Sequence, residues 1–303
     1  MVWIRGGAVR WLAASAVILL AVACSGTRPQ GAGLAWQLAA IHADPQRTQG
    51  VGAGTVIAFI DSGFDGTGLP TFEARHVSGI TEVGGAVGDG DVNGHGTEMA
   101  VIAAGGGDRG VWGVAPRAEI LPVVVTDEFG HASPHAVALG IAWASRHGAT
   151  VVNLSLAARV ASAEVTAAIG AAIKAGSIVV AAAGDTGEPG PDFPASVPGV
   201  IAVYGQDRSG RIGAHSNSPV DGGVLAPGEG IDTLEPVQDG VRLLSVNGTS
   251  AAAALVSGLL AACISAMSSH SARAESPGAR CERLLYQPTG RFLDFRHILE
   301  VVK

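Results

Sequence analysis

Continuous apolar runs alternate with helix-like segments along most of the chain. The apolar runs are rich in Val, Ile and Ala, and they span residues 55–60, 119–125, 150–155, 177–183 and 199–203. Strands that are buried on both faces have this pattern, whereas half-exposed strands alternate apolar with polar residues. The helix-like segments lie near residues 94–105, 133–147 and 162–175. This order predicts an α/β fold with a mostly parallel sheet and helices on both faces.

Two aspartates follow predicted strands closely. Asp61 comes directly after the first apolar run, and Asp185 comes just after the fourth. Ligands of parallel sheets bind at the carboxyl ends of the strands, so both aspartates are candidate site residues. Both also stand in an Asp-Ser/Thr-Gly sequence, as do the paired catalytic carboxylates of pepsin-like aspartic proteases. Those enzymes are built almost wholly from antiparallel strands, so the strand and helix order argues against that class.

Two glycine-rich stretches supply further candidate chemistry. The sequence N-G-H-G-T places His95 at the predicted start of one helix, and N-G-T-S places Ser250 at the start of another. A hydroxyl nucleophile needs an imidazole that takes its proton and a carboxylate that fixes the tautomer of that imidazole. Asp61, His95 and Ser250 together supply all three groups.

The same three residues lie in motifs that resemble those of the subtilisin-like serine proteases. The motifs are I-D-S-G at Asp61, N-G-H-G-T at His95 and N-G-T-S-x-A-A at Ser250, in the family's chain order of Asp, His and Ser. The resemblance extends over about residues 36–303. It implies a subtilisin-like three-layer fold and a serine endopeptidase that hydrolyses peptide bonds through an acyl-enzyme. Its substrates would be proteins or peptides.

The resemblance also implies an unusual oxyanion site. Asp185 stands where the family has an asparagine whose side-chain amide donates to the oxyanion, and the helix that begins near Ser250 offers its free N–H groups as further donors. An ionised carboxylate cannot donate a hydrogen bond, but a protonated one can. We therefore expect an acid-shifted pH profile. The alternative is a non-catalytic relative that binds peptides, which Asp185 favours and the intact triad opposes.

Substrate-binding residues are implied by the resemblance as well. An extended substrate would add as a strand beside Ser155, Leu156 and Ala157. The walls of the first side-chain pocket would be Ala182, Ala183 and Gly184. Most family members have glycine where Ala157 stands, so the extra methyl group predicts a smaller or slimmer residue before the scissile bond. Glu98 follows His95 by three residues and is predicted to be a solvated helix carboxylate.

Composition narrows the classes of partner. The chain has 303 residues, of which 48% are hydrophobic, which is enough to bury a large core. A formal net charge of −7 offers no basic surface for nucleic acid. No internal apolar run is expected to be long enough to span a bilayer. We expect a monomer that needs no cofactor.

The N-terminus resembles a targeting segment. Arg5 and Arg10 precede a largely apolar segment that ends at Ala23, which predicts a signal peptide over residues 1–23 and an exported protein. Cleavage before Cys24 resembles bacterial lipoprotein processing, in which that cysteine is acylated and holds the protein at the outer face of the cell membrane. The alternative is an ordinary cleavage site and a freely secreted protein. A tether and lead-in over residues 24–49 would then precede a peptidase domain at 50–303.

The other two cysteines predict a disulfide. Cys263 and Cys281 remain as an even pair in an oxidising compartment, where a disulfide persists. Two unrelated buried thiols are the alternative.

Metal binding has little support in the sequence. Asp89, Asp91, Asn93 and Gly94 mimic the opening of a calcium loop, but Ala100 stands where that loop needs a bidentate glutamate. We therefore predict no metal site here. A structural calcium ion elsewhere, as many relatives bind, stays open without assigned ligands.

Overall fold

The computed structural model describes residues 18–19, 35–43, 51–82, 89–91, 93–238, 240–268 and 276–285. Within them the strands are β1 (Ile18–Leu19), β2 (Val56–Asp61), β3 (Ile80–Thr81), β4 (Glu119–Val124), β5 (His131–Ala132), β6 (Val151–Leu154), β7 (Ile178–Ala182), β8 (Ile201–Gln206), β9 (Val224–Pro227), β10 (Ile231–Val237) and β11 (Gly240–Val246). The α-helices are α1 (Trp36–Ala40), α2 (His95–Ala104), α3 (Pro134–Arg146), α4 (Ala163–Lys174), α5 (Thr249–Ser268) and α6 (Pro277–Leu285).

A parallel sheet of seven strands forms the centre of the protein, in the order β3-β4-β2-β6-β7-β8-β9. The five apolar runs became β2, β4, β6, β7 and β8, and the three helix-like segments became α2, α3 and α4. The predicted α/β fold with a mostly parallel sheet is therefore confirmed. Continuous apolar sequence forms these strands because helices cover the sheet on both sides.

The two sides of β2 show the three layers. Ile57 and Phe59 pack into a core that also contains buried residues of α2 and α5. Ala58 and Ile60 point the other way, into a second core built with α3 and α4. Successive side chains of a strand point to opposite faces, so one apolar run supplies both cores.

An antiparallel hairpin, β10 with β11, lies outside the central sheet. Its strands pair from Ile231 with Val246 at one end to Val237 with Gly240 at the other. Residues Ile231, Leu234, Val241, Leu244 and Val246 of the hairpin are buried in the same core as α2. The hairpin therefore packs beside α2, the helix that begins with His95.

Helix α5 is the central buried helix, with 20 residues from Thr249 to Ser268. By length and composition it could cross a bilayer, so the expectation that no internal segment reaches that length is wrong. Most of the helix is buried inside the fold, as in the core helix of a soluble protein. A disulfide joins Cys263 of α5 to Cys281 of α6, with a Cα separation of 6.0 Å.

Two N-terminal pieces contact the rest of the fold. Helix α1 lies within the segment that the sequence assigns to the tether, and Leu38 and Ile41 are buried in the main core. Trp36 Nε1 donates to Gly230 O at 2.6 Å. The folded part of the chain therefore begins before residue 50. Strand β1, within the predicted signal peptide, pairs antiparallel with β5.

Candidate active site

Asp61 and His95 are hydrogen-bonded at the carboxyl edge of the sheet. Asp61 is the last residue of β2 and is fully buried, and His95 is the first residue of α2. His95 Nδ1 lies 2.8 Å from Asp61 Oδ1, which also accepts from Ser62 N–H at 2.8 Å. A carboxylate at Nδ1 fixes the tautomer that leaves Nε2 as a proton acceptor.

A close backbone contact brings the strand end and the helix start together. A Cβ atom on Gly96 would lie 2.2 Å from Gly63 O, so only glycine fits between the two segments. Ser62 Oγ accepts from Gly96 N–H at 2.8 Å and donates to Asp91 Oδ1 at 2.8 Å. Asp91 Oδ2 accepts from Thr97 N–H at 2.8 Å, at the N-terminus of α2. The N-G-H-G-T sequence thus holds the imidazole against the Asp61 carboxylate.

The electrostatics around His95 favour its protonated form. Burial lowers the pKa of His95, but the charge and hydrogen bond of Asp61, together with the charges of Glu98 and Asp91, outweigh burial. The net effect raises the pKa of His95 to about 9. A base with this pKa is mostly protonated at neutral pH, so it becomes available as pH rises.

Ser250 lies in the first turn of α5 and is 9% exposed. Its Oγ donates to Ser155 O at 3.2 Å, and Ser155 Oγ donates back to Ser250 O at 3.1 Å. Among the described residues no hydrogen bond joins Ser250 to His95. Catalytic hydrogen bonds are often long before substrate binds, so this geometry is compatible with a nucleophile that turns toward His95.

Asp185 lies at the N-terminus of α5, directly beside Thr249, which precedes Ser250. Its Oδ1 accepts from Thr249 N–H at 2.8 Å, and its Oδ2 accepts from Thr249 Oγ–H at 3.2 Å. Burial raises the pKa of Asp185, although the Thr249 hydrogen bonds and the nearby His215 and His95 act against the rise. The carboxyl group therefore holds its proton to higher pH than an exposed aspartate.

The two predicted substrate-binding segments directly follow two neighbouring strands of the sheet. Strands β6 and β7 pair in parallel with Leu154 opposite Ala181, so the residues after them lie side by side at the carboxyl edge of the sheet. Ser155, Leu156 and Ala157 follow β6, and only Ala157 is partly exposed. The buried Ala183 and Gly184 follow β7.

Glu98 departs from its prediction as a solvated carboxylate. It is only partly exposed on α2, and Thr233 Oγ of the hairpin donates to its backbone oxygen at 2.8 Å. Burial raises the pKa of Glu98 to about 7; His95 opposes the rise, and Glu235, Asp91 and Asp61 add to it. In the sequence, only the spacing of three residues indicated that Glu98 lies close to His95.

Two further predictions concern the lipidation site and metal binding. Cys24, the candidate lipidation site, lies outside the described residues. Among the described residues, no group of three or more His, Cys, Asp or Glu side chains could hold a metal ion.

Comparisons with known proteins identify the family of this fold. A family model described as the Subtilase family matches residues 52–283. The thermostable alkaline protease of Halalkalibacterium halodurans is 33% identical over 228 residues, which are 75% of this chain and 61% of that protein. Thermitase of Thermoactinomyces vulgaris is 37% identical over 212 residues, which are 69% of this chain and 74% of thermitase.

A solved structure shares the fold. Fervidolysin from Fervidobacterium pennivorans, described as a keratinolytic enzyme related to subtilisin, matches with a TM-score of 0.76 and 27% identity, over 88% of this chain and 45% of that chain. The architecture is thus that of the subtilisin-like serine proteases. The chain belongs to the Subtilase family. It spans about three fifths of the alkaline protease's length, 61%.

Proposed function

We propose that this protein is a serine endopeptidase that uses Asp61, His95 and Ser250 to hydrolyse peptide bonds through an acyl-enzyme. The observation that carries this proposal is the contact of 2.8 Å between His95 Nδ1 and the buried Asp61 Oδ1, at the carboxyl edge of a subtilase fold. Ser250 lies in the first turn of α5, which packs against α2, and His95 begins α2, so the proposed nucleophile and base come from the first turns of two packed helices. Family membership supports protein or peptide substrates.

The reaction proceeds in two halves. Ser250 Oγ attacks the substrate carbonyl carbon while its proton moves to Nε2 of His95, and Asp61 stabilises the imidazolium that forms. The tetrahedral intermediate collapses as the C–N bond breaks, and His95 returns the proton to the leaving amine. Water then attacks the acyl-enzyme, giving its proton to His95, and collapse releases the carboxylic acid and restores the Ser250 hydroxyl.

Asp185 and the N-terminus of α5 form the proposed oxyanion site. The backbone N–H of Ser250 is one donor, because the first N–H groups of a helix have no partner within it. A protonated Asp185 would be the second donor. Each carboxyl oxygen has two lone pairs, so an oxygen that accepts from Thr249 still has room for a proton. The raised pKa of Asp185 supports this role.

Export and anchoring complete the proposal. The N-terminal sequence supports a signal peptide over residues 1–23 and acylation of Cys24, which would hold a monomeric enzyme at the outer face of a bacterial cell membrane. The catalytic chemistry requires no cofactor. A calcium ion that stabilises the fold is compatible with this proposal, without assigned ligands.

Labelling with a fluorophosphonate probe tests the nucleophile directly. We expect the wild type to be labelled at Ser250 and the Ser250→Ala and His95→Ala variants to be labelled poorly or not at all. Absence of labelling of the wild type between about pH 4 and pH 9 would refute the enzyme and favour the peptide-binding alternative. That alternative predicts instead that peptides bind without being cleaved, because an ionised Asp185 would repel the oxyanion.

A further inference from the structure

Asp192 and Phe193 connect the two segments that form the predicted first pocket. On one side, Ala158 N–H donates to Phe193 O at 2.7 Å, and Phe193 N–H donates to Ala158 O at 3.1 Å. On the other side, Asp192 N–H donates to Ala183 O at 2.8 Å. One wall follows β6 and the other follows β7, so a chain that pairs with both closes the gap between them. The Asp192-Phe193 segment therefore bridges the two predicted walls.

The carboxylate of Asp192 lies against the wall of this pocket. A Cβ atom on Gly184 would be 2.3 Å from Asp192 Oδ2, so the glycine leaves room for the carboxylate. Asn217 Nδ2 donates to the same Oδ2 at 3.2 Å and to Ala183 O at 3.0 Å. The asparagine thus holds the carboxylate in place without neutralising it.

The charge of Asp192 has no counter-ion within the described part of the chain. Among the described residues, no ion pair involves Asp192, and Asp192 Oδ1 accepts no hydrogen bond. The side chain is partly exposed, so this oxygen remains accessible to a ligand. A carboxylate covered by an apolar side chain would lose hydration without gaining a partner, whereas a cationic side chain would replace that hydration with a charged hydrogen bond.

We infer that Asp192 makes this pocket selective for lysine or arginine immediately before the scissile bond. The inference deepens the proposed function and rests on it. Ala157 is compatible with it, because a pocket narrowed by a methyl group, as the family resemblance implies, still admits an unbranched aliphatic stem. The stem packs between the walls, and the charged head reaches Oδ1 of Asp192. The substrate class is therefore peptides and proteins with a basic residue at the cleavage site.

The test compares peptides that differ only in the residue before the scissile bond: Lys, Arg, Gln or Leu. Glutamine is the neutral control because it has a similar stem and no charge. We expect the wild type to cleave the Lys and Arg peptides with a kcat/KM about 10- to 100-fold above that for Gln. Asp192→Asn should abolish most of this preference, mainly by raising KM for the Lys and Arg peptides.

Glu188→Gln is the matched control, because it removes the same charge from an exposed position on the same loop. It should keep the preference for basic residues. The inference is overturned if the wild type does not prefer Lys over Gln, or if Asp192→Asn keeps the wild-type preference. Fluorophosphonate labelling of each variant, with its thermal unfolding, shows that the nucleophile and the fold are intact.

A binding measurement separates this inference from the proposed function. In Ser250→Ala, which cannot turn over substrate, the Lys peptide should bind at least about 10-fold more tightly than the Gln peptide. Adding Asp192→Asn should remove the difference. A difference that persists overturns the role of Asp192. If the wild type is not labelled but the binding preference for the Lys peptide is present, the peptidase activity is refuted and the role of Asp192 stands.

Discussion

The carboxylate of Asp185 accepts a hydrogen bond from Thr249 N–H at 2.8 Å, one residue before Ser250. An acceptor thus occupies the N-terminus of α5, where the proposed function places the oxyanion. Ionised Asp185 is favoured by this bond, and protonated Asp185 is favoured by burial. In the proposed mechanism only the protonated form would donate to the oxyanion, so the balance between the two forms would set the rate.

Asp185→Asn should raise kcat by about 100-fold near pH 8, because an amide donates at every pH and loss of one oxyanion donor costs about 10²–10³ in rate. The wild type needs Asp185 protonated, which falling pH favours, and His95 neutral, which rising pH favours. With the pKa of His95 raised to about 9, these demands overlap poorly and give a low, flat profile rather than the acid-shifted peak expected from sequence.

The pH profile of the variant checks the same assignment. With asparagine present, kcat/KM should depend on His95 alone and rise as pH approaches about 9. Asp185→Ala, which removes the charge without adding a donor, is the control and should stay slower than Asp185→Asn. A wild type that matches Asp185→Asn at pH 8 would show that Asp185 is not the oxyanion donor.

The parallel sheet was predictable because its strands are covered on both sides, which leaves continuous apolar runs such as the one that ends at Asp61. The hairpin β10–β11 was missed, although Asp-Gly at 239–240 is a typical hairpin signal. This omission also explains the wrong prediction for Glu98. Its helical spacing from His95 is visible in the sequence, but its burial depends on a hairpin that packs against α2 from far along the chain.

Motifs singled out Asp61, His95 and Ser250, but they carry no information about hydrogen-bond direction. The sequence could place Ser250 at a helix start, yet the bond from its Oγ to Ser155 O depends on how β6 and α5 pack. Asp192 was missed for a similar reason. No sequence motif includes Asp192. Its position next to the predicted pocket depends on backbone hydrogen bonds: Asp192 N–H donates to Ala183 O, and the neighbouring Phe193 pairs with Ala158.

Removing the disulfide should destabilise the fold. Cys263→Ala with Cys281→Ala should lower the free energy of unfolding by about 3 kcal/mol, because the bond closes a loop with a sequence separation of 18. Guanidinium unfolding with and without reductant measures the effect. Reductant should lower the midpoint of the wild type and leave the double variant unchanged, and equal wild-type midpoints in both conditions would mean that the thiols are not paired.

Cys24→Ala tests the proposed anchor. Full-length wild type expressed in a bacterial host should partition with the membrane fraction and be released by detergent, whereas Cys24→Ala should not be anchored through lipid. Mass spectrometry of the mature N-terminus identifies the acyl group. Equal recovery of both proteins in the soluble fraction would contradict the lipoprotein proposal and favour the freely secreted form.

Glu98→Gln should change how stability depends on pH. Folding raises the pKa of Glu98 from 4.5 to about 7, so the folded protein binds an extra proton in that interval. The stabilisation is fully present below about pH 4.5 and is lost as pH rises through about 7. The stability of Glu98→Gln should not fall in this way. Between pH 4 and pH 8 its free energy of unfolding should therefore rise relative to that of wild type. The expected rise is on the order of 1 kcal/mol, because partial exposure of Glu98 screens the effect.

The same substitution should shift the pH dependence of the catalytic base. Above about pH 7 Glu98 is ionised and stabilises the His95 imidazolium, so its removal should lower the pKa of His95. Asp185→Asn is the background for this test, because its labelling rate should depend on His95 alone, and adding Glu98→Gln should move the midpoint of that rate to lower pH. Adding Glu164→Gln, which removes an exposed carboxylate on α4 across the sheet, is the matched control and should keep the Asp185→Asn midpoint. Identical midpoints in all three proteins would mean that Glu98 does not act on His95.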